Sequence, residues 1–280
     1  MCLVINANVH GQNHSYTILY DQVYPLIFQD YVAGKNMYLD LSKSASIDPS
    51  ERLQFAALAL TEGDVEFYKT EVKDLIRYSG YFFTYEDTLK SPAMTEKLKA
   101  HNLLEWLVIE TTTNYPLWIK ENTEAYFIQS KLLAMAEVNK TRTYYYNLMD
   151  YCESKNDSLG KAEVLTYLRD LDFNQLYTLI LFSKTHGLPT NFDAGFSSYY
   201  IFQQILINNA YDLFNFKRTW HHIFPHLEKA YFDGKISNSF LKIYDKALQQ
   251  HFGHQYYGTI EGVEITDPDG LAERRKKFGL

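Results

Sequence analysis

The chain has 280 residues, of which 46% are hydrophobic and 22% are charged, and its formal net charge is -7. This composition excludes a disordered chain, because there are enough apolar side chains to fill one large core or two small ones. The negative charge argues against a nucleic-acid-binding protein, which needs a basic face to neutralise phosphates. The two cysteines form neither a disulfide framework nor a zinc site, and no segment reaches the roughly 20 apolar residues of a membrane span.

Residues 1–12 resemble the second half of a signal peptide. The apolar run Leu3 to Ile5 is followed by the small residues Val9 and Gly11, which would place a cleavage site before Gln12. We therefore expect the mature protein to be periplasmic or secreted if this segment is a truncated signal peptide. The alternative is a short strand or a disordered lead-in, and in that case the protein would be cytoplasmic.

The N-terminal helical region is predicted to cover residues 13–122. A first helix is expected from Tyr16 to Tyr31, with a kink at Pro25. The sequence Asp48-Pro49-Ser50-Glu51 then combines a cap, a first-turn proline and a third-position carboxylate, which predicts a strong helix start. A second helix follows Gly63-Asp64, and the pair resembles one tetratricopeptide unit. One unit is too few for a stable repeat array, so we expect a single helical hairpin.

Further helices follow in chain order. Asn114-Tyr115-Pro116 predicts a break between two helices. A long helix is expected from Asn122 or Thr123 to Tyr151, and the polar stretch Ser154 to Gly160 separates it from a helix at Leu165 to Phe182. An irregular loop, His186 to Gly195, leads to a helix that begins at Ser197, and a final long helix ends at Gly253.

The tail after Gly253 departs from the helical pattern. Two short β-prone runs, Tyr257 to Ile260 and Val263 to Thr266, flank Glu261-Gly262 and predict a small β-hairpin. A closing basic helical turn is expected at Leu271 to Lys277. The predicted fold class is therefore mostly α: an irregular multi-helix bundle with one helical hairpin resembling a tetratricopeptide unit and a small C-terminal β-hairpin. Gly258 is expected to permit a backbone conformation or a close approach that a side chain would block.

The tail also carries a resemblance. Its Gln255-x-Tyr257-Gly-Thr259 element, the Asp267-Pro dipeptide and the Glu-Arg-Arg-x-x-x-Gly-Leu ending are similar to the C-terminus of a bacterial domain of unknown function, family 6624. Upstream, His186-Gly-Leu-Pro lies where that family has a Gly-Trp-Pro loop, and Gly234-Lys-Ile-Ser lies at its Gly-x-x-Ser helix start. The resemblance assigns residues 123–280 to one C-terminal domain but implies no activity. Where the family carries a Gln-His pair, this chain has Asn208-Asn209, so chemistry that depends on that pair would be lost.

Candidate site residues come from the loop, from the helix after it and from the tail. His186 and Asp193 offer an acid-base pair on a loop, and His222 and His226 lie four apart. Pro225 separates those two histidines and no carboxylate completes a ligand set, so no metal site and no cofactor are predicted. The candidate ligand-binding residues are His186, Asp193, Asn208, Asn209, Gln255, Tyr257 and Thr259.

Three function hypotheses follow from these observations. The first is a helical binding or interaction protein of the bacterial cell envelope, whose partner is a small ligand or a protein. The alternative is a small hydrolase-like enzyme with a pocket between the His186 loop, the Asn209 helix and the Gln255 to Thr259 element. An intracellular scaffold is expected if the N-terminus is not a signal peptide. The 24 Tyr and 18 Phe are expected to pack at core margins, where some rings line a groove.

Overall fold

The computed structural model describes residues 11–84, 91–210 and 212–280, with side chains from Ser15 onward. The fold is mostly helical, as predicted. The chain divides into two compact units: the first contains residues up to Gln129 together with Thr190–Ser198 and Phe232–Lys235, and the second contains the remainder. Residues 1–10 of the predicted signal remnant lie outside the described residues.

Helices account for most of the first unit. They are α1 (Gly11–Ile18), a π-helical turn (Leu19–Val23), α2 (Tyr24–Ile27), α3 (Tyr31–Ser44), α4 (Pro49–Thr61), α5 (Val65–Ser79), α6 (Pro92–Ala100) and α7 (Leu103–Glu121). The helix predicted from Tyr16 to Tyr31 is present but ends earlier, because the helical backbone runs without a break from Gly11 to Ile27. Pro25, which has no N–H to donate, lies two residues after the π-helical turn, and both features are known causes of helix kinks. Asp30 then starts a separate helix, because its side chain accepts a hydrogen bond from the Ala33 N–H at 3.0 Å.

Helices α4 and α5 form the predicted helical hairpin. Asp48 caps α4 and Asp64 caps α5, each by accepting a backbone N–H of the following turn. Ala56 and Leu60 of α4 are fully buried in one cluster with apolar side chains of α5 and α7. The small Ala56 side chain lets the helices approach closely. The likeness of this hairpin to a tetratricopeptide unit stays a prediction.

The predicted break at Asn114-Tyr115-Pro116 was wrong, because α7 continues through Pro116 to Glu121. An interior proline removes one helical hydrogen bond. The packing of Trp118, one turn further on and only 2% exposed, offsets that loss. Its ring lies where a Cβ on Gly80 or Gly195 would stand, so both glycines leave room for it. The buried indole therefore fixes the second half of α7.

The second unit contains most of α8 (Thr123–Ser154), then α9 (Ser158–His186), α10 (Ser198–Ala210), α11 (Leu213–His222), α12 (Phe224–Phe232), α13 (Ser239–Phe252) and α14 (Leu271–Lys277). Helices α8 and α9 form an antiparallel hairpin. Lys161 pairs with Glu153, and further along the Gln175 side chain donates to the Met135 carbonyl. The turn closes through Asp157, whose carboxylate accepts the Gly160 N–H.

The predicted C-terminal β-hairpin was wrong. Within the part of the chain that the structure describes there is no strand, and the tail contains a single parallel bridge between Gln255 and Ile265. Gly258 and Gly262 both have positive φ angles, which interrupt an extended chain. In addition, the N–H groups of Tyr257 and Thr259 point to a side-chain carboxylate, so they are not free to form a ladder.

Candidate functional site

The predicted tail residues converge on Asp245, a fully buried side chain of α13. Its carboxylate accepts hydrogen bonds from the backbone N–H groups of Tyr256 at 2.8 Å, Tyr257 at 3.0 Å and Thr259 at 3.0 Å. The Thr259 hydroxyl adds a fourth donor at 2.8 Å. Because the carboxylate is excluded from water, these four hydrogen bonds stabilise its charge and hold the loop against α13.

Gln255 and the basic helix α14 complete the same network. The Gln255 side chain accepts the Ile260 N–H and donates to the carbonyls of Ile260 and Val263. The Arg274 guanidinium donates to the Tyr256 carbonyl at 3.1 Å and lies 4.0 Å from the centroid of that residue's ring. Arg275 donates to the Gly258 carbonyl at 2.8 Å. The tail residues that carry the family resemblance thus hold the loop together and attach it to α13.

The other predicted site residues lie elsewhere. Exposed His186 ends α9, with its ring 6.1 Å from the Phe182 ring. Asp193 belongs to the first unit, where it accepts hydrogen bonds from Thr190 and from Lys235. On α10, Asn208 is half-buried, whereas Asn209 is fully buried and donates to the Ile205 carbonyl one turn earlier. The structure brings together Gln255, Tyr257 and Thr259, and it gives them structural partners.

The histidine cluster is divided between two helices. His222 ends α11, whereas His226 lies on α12 after Pro225. Burial and the nearby Lys184 lower the pKa of the His226 imidazole. Among residues 11–84, 91–210 and 212–280 there is no group of three His, Cys, Asp or Glu side chains that could hold a metal ion.

A different feature, the hairpin α8–α9, exposes many large apolar side chains. We call these side chains the hairpin surface. On α8, Leu133, Tyr144 and Tyr151 lie on one face, because they are separated by 11 and 7 residues. On α9, Phe173, Tyr177 and Leu181 follow one another at intervals of four residues. The hairpin surface comprises Leu133, Val138, Tyr144, Tyr146, Tyr151, Leu159, Tyr167, Phe173, Tyr177 and Leu181.

The part of the hairpin nearest its turn has almost no core. From Thr141 to Thr166 only Cys152 and Val164 are buried, whereas Tyr144 is 65% exposed and Leu159 is 80% exposed. Isolated exposed apolar residues are ordinary on soluble proteins, but a concentration of them on one element is characteristic of interaction sites. Tyrosine is well suited to such a surface, because it is enriched at protein interfaces.

One buried ion pair fixes the two helices of the hairpin against each other. The Arg142 guanidinium of α8 pairs with the Asp172 carboxylate of α9 and also donates to the Tyr146 hydroxyl at 2.9 Å. Burial raises the pKa of Asp172, and the opposing effect of Arg142 does not cancel it. Beside this pair, the rings of Tyr145 and Tyr167 stack with centroids 6.4 Å apart. The exposed rings are therefore carried by an ordered pair of helices.

The hairpin surface was not predicted, because the aromatic residues were expected to pack at core margins. The available signal was the run Tyr144-Tyr145-Tyr146 with Tyr151 seven residues after Tyr144, in a helix whose charged residues do not segregate to one face. The importance of Asp245 was missed for a different reason. Its four donors come from a loop whose path only the tertiary structure reveals.

Comparison with known proteins adds no relative. No protein-family model matches the chain, and searches of curated proteins and of solved structures found no match. The similarity of the C-terminal half to family 6624 therefore stays a prediction. None of the helices in the described ranges combines the length and the apolar character required to cross a lipid bilayer.

Proposed function

We propose that this chain is a protein-interaction module that binds a protein partner through the hairpin surface. The observation that carries the proposal is the exposure of ten large apolar side chains on α8 and α9. An isolated helix pair with so little core gains packing when a partner covers those rings. Tyr144 and Tyr151 are the expected centre of the contact, because large, exposed rings on one helical face supply most of the energy of such interfaces.

The charge of the hairpin favours a protein over a nucleic acid or an anionic lipid surface. Between Ser130 and His186 there are seven Lys and Arg residues and seven Asp and Glu residues. Attraction to phosphates needs an excess of basic residues, which this segment lacks. Burial of tyrosine rings against another protein needs no such excess.

The alternative of a hydrolase-like enzyme has less support. Gln255 and Thr259 use their polar groups to hold the loop around Asp245, and Asn209 donates to its own helix. A catalytic role would require these groups to exchange structural partners for a substrate.

Envelope location is part of the proposal too, and cell fractionation with an antibody against the C-terminal tail tests it.

The proposal is tested by site-specific photo-crosslinking. A photoreactive phenylalanine replaces Tyr144 or Tyr151 in cells of the producing organism, and cross-linked proteins are identified by mass spectrometry. The matched control places the same group at Phe28, which is 75% exposed in the first unit. We expect a discrete adduct from the hairpin positions and none from Phe28. The same adduct pattern from all three positions, or no adduct from the hairpin, would contradict the proposal.

Once the partner is identified, its affinity for variants of this chain can be measured. Tyr144→Ser combined with Tyr151→Ser is expected to weaken binding at least tenfold, because each ring buries apolar area that Ser cannot replace. Isothermal titration calorimetry with purified proteins measures the change. Tyr78→Ser is the control, since Tyr78 is 68% exposed in the first unit. An unchanged dissociation constant for the double variant would place the interface elsewhere.

A further inference from the structure

A cleft in the first unit lies at the C-terminal end of α3 and beside α4. It has a volume of about 600 Å³, which falls within the range of small-molecule pockets. Its walls include Tyr38, Ser46, Arg52, Glu71 and Phe192. None of these residues belongs to the hairpin surface, so the cleft is a separate feature of the molecule.

Each charged side chain of the cleft has a partner of opposite charge. Lys43, at the exposed edge, pairs with Asp40 at 2.9 Å. The Arg52 guanidinium donates to Glu71 Oε2 at 2.8 Å, and its other end lies 3.8 Å from Asp74 Oδ2. The Tyr38 hydroxyl donates to the same Glu71 oxygen at 3.4 Å. The Arg52 and Glu71 side chains are only 24% and 13% exposed, so a strongly charged ligand would have to compete with an existing, partly desolvated pair.

The pair still offers hydrogen-bonding capacity of both kinds. A guanidinium has five N–H donors and a carboxylate has about four acceptor positions, and the contacts between Arg52 and Glu71 use only part of each. Arg52 can thus donate to a ligand oxygen while Glu71 accepts from a ligand hydroxyl. A ligand group that is donor and acceptor at once suits both, and a hydroxyl is such a group.

Four serine residues also line the cleft. Ser42 and Ser44 donate back to carbonyls of α3, at 2.8 Å for the Leu39 carbonyl and 3.0 Å for the Leu41 carbonyl. Their oxygens keep lone pairs that accept hydrogen bonds. Ser46 and Ser79 add two more hydroxyl groups, and Phe192 supplies a half-buried apolar ring to the wall.

We infer that this cleft binds a neutral, polyhydroxylated small molecule of the size of a mono- or disaccharide. Hydroxyl groups on the ligand would alternate between the Arg52–Glu71 pair and the serines, and an apolar C–H face would lie against Phe192. Both cations of the walls, Lys43 and Arg52, already have carboxylate partners. A phosphate or carboxylate would have to compete with those partners, whereas a neutral hydroxyl group would not. The inference does not depend on the hairpin surface.

The experiment measures binding to the full-length chain by saturation-transfer difference NMR and isothermal titration calorimetry. The neutral probes are glucose, N-acetylglucosamine, maltose, trehalose and myo-inositol, and the anionic probes are inorganic phosphate and citrate. We expect saturable binding of at least one neutral probe. Stronger binding of an anionic probe would overturn the ligand class, and no saturable binding of any neutral probe would overturn the inference altogether.

Site assignment uses a blocking variant with a matched control. Ser46→Phe places a ring in the mouth of the cleft at an exposed position, so the fold is expected to survive, and it should weaken binding at least tenfold. Ser154→Phe makes the same chemical change at an exposed position near the hairpin turn and should leave binding unchanged. Unfolding curves of both variants check the fold. Binding that persists in Ser46→Phe would place the ligand outside the cleft and overturn the assignment.

Discussion

The loop around Asp245 and the hairpin α8–α9 use polar and aromatic side chains in opposite ways. Around Asp245, the groups that look chemically capable in the sequence all have internal partners, and the carboxylate itself accepts from four donors. On the hairpin, ordinary Tyr and Leu residues face solvent. A distinctive motif can therefore have all of its polar groups engaged in internal hydrogen bonds, whereas a surface available to a partner can consist of residues that form no motif.

Replacement of Asp245 is expected to give the largest effect on stability. Asp245→Asn keeps the size of the side chain but removes the charge and turns one acceptor into a donor that faces N–H groups. We expect a loss of about 3 kcal/mol in the free energy of unfolding, because hydrogen bonds to a buried charged group are among the strongest in proteins. Urea unfolding, together with hydrogen exchange over residues 255–265, measures this loss.

Asp269→Asn is the matched control for that variant, since Asp269 is exposed in the same tail. It should change stability by less than about 0.5 kcal/mol. A loss of the same small size in Asp245→Asn would contradict the structural role given to Asp245, because the loop would then not depend on the carboxylate.

The next largest loss of stability is expected from substitutions of two glycines in the tail. Gly258 and Gly262 have nearly equal φ angles of +69° and +73°. A Cβ on Gly258 would lie 3.1 Å from Arg275 Nη1 and 3.3 Å from Leu271 Cδ1, whereas a Cβ on Gly262 would have no neighbour within 4 Å. We expect Gly262→Ala to cost about 1 kcal/mol through the left-handed backbone alone. Gly258→Ala should cost more, about 2 kcal/mol, in thermal unfolding.

The pH-dependent change in stability that Asp172 causes is expected to be smaller than the effects of the glycine substitutions. Burial raises the pKa of Asp172, so the folded state holds its proton to higher pH than the unfolded state does. The contribution of Asp172 to stability therefore falls as pH rises from the unfolded pKa of about 3.9 through the raised folded pKa. Unfolding free energies of the wild type and of Asp172→Asn, measured from pH 3 to pH 7, should show a difference that moves against the wild type with rising pH. A difference that moves the other way would mean that pairing with Arg142 outweighs burial.

The smallest effect on stability is expected at the hairpin surface itself. Tyr144→Ser and Tyr151→Ser together should change the free energy of unfolding by less than about 0.5 kcal/mol, because exposed rings add little to folding. Chemical denaturation of the isolated protein measures this change. If the double variant lost more than about 2 kcal/mol, the rings would belong to the core and the contrast with Asp245 would disappear.

Much of the fold follows from local signals in the sequence. Asp48 and Asp64 mark helix starts as caps, and these two starts were predicted correctly. The break predicted at Pro116 was wrong because the loss of a hydrogen bond at a proline is visible in the local sequence. The burial of Trp118, which offsets that loss, depends on distant segments. The tail was misjudged for the same kind of reason. Alternation of apolar residues predicted strands, but the donors that a strand needs are taken by a side chain of α13.

The candidate sites were harder to predict than the fold. The exposure of Tyr144 depends on which segments pack against α8, and this cannot be read from a single sequence. The cleft depends on the meeting of Arg52 from α4, Glu71 from α5 and Phe192 from a later segment. The polar stretch Ser42 to Ser46 was recognised only as a connection between helices. Gln255, Tyr257 and Thr259, by contrast, were predicted from the sequence to lie together, and they do, although their hydrogen bonds to Asp245 and to the loop backbone were not predicted.

The division of the first unit into separate stretches of chain has a consequence for the order in which its parts become available. Asn191 donates to both oxygens of Asp48, the carboxylate that caps α4. Lys235, in the last of these stretches, pairs with Asp193 at 2.7 Å. Synthesis from the N-terminus must therefore pass through much of the second unit before the first unit has all of its contacts. A fragment that stops at Gln129 would lack these partners, so the first unit should be expressed and studied within the whole chain.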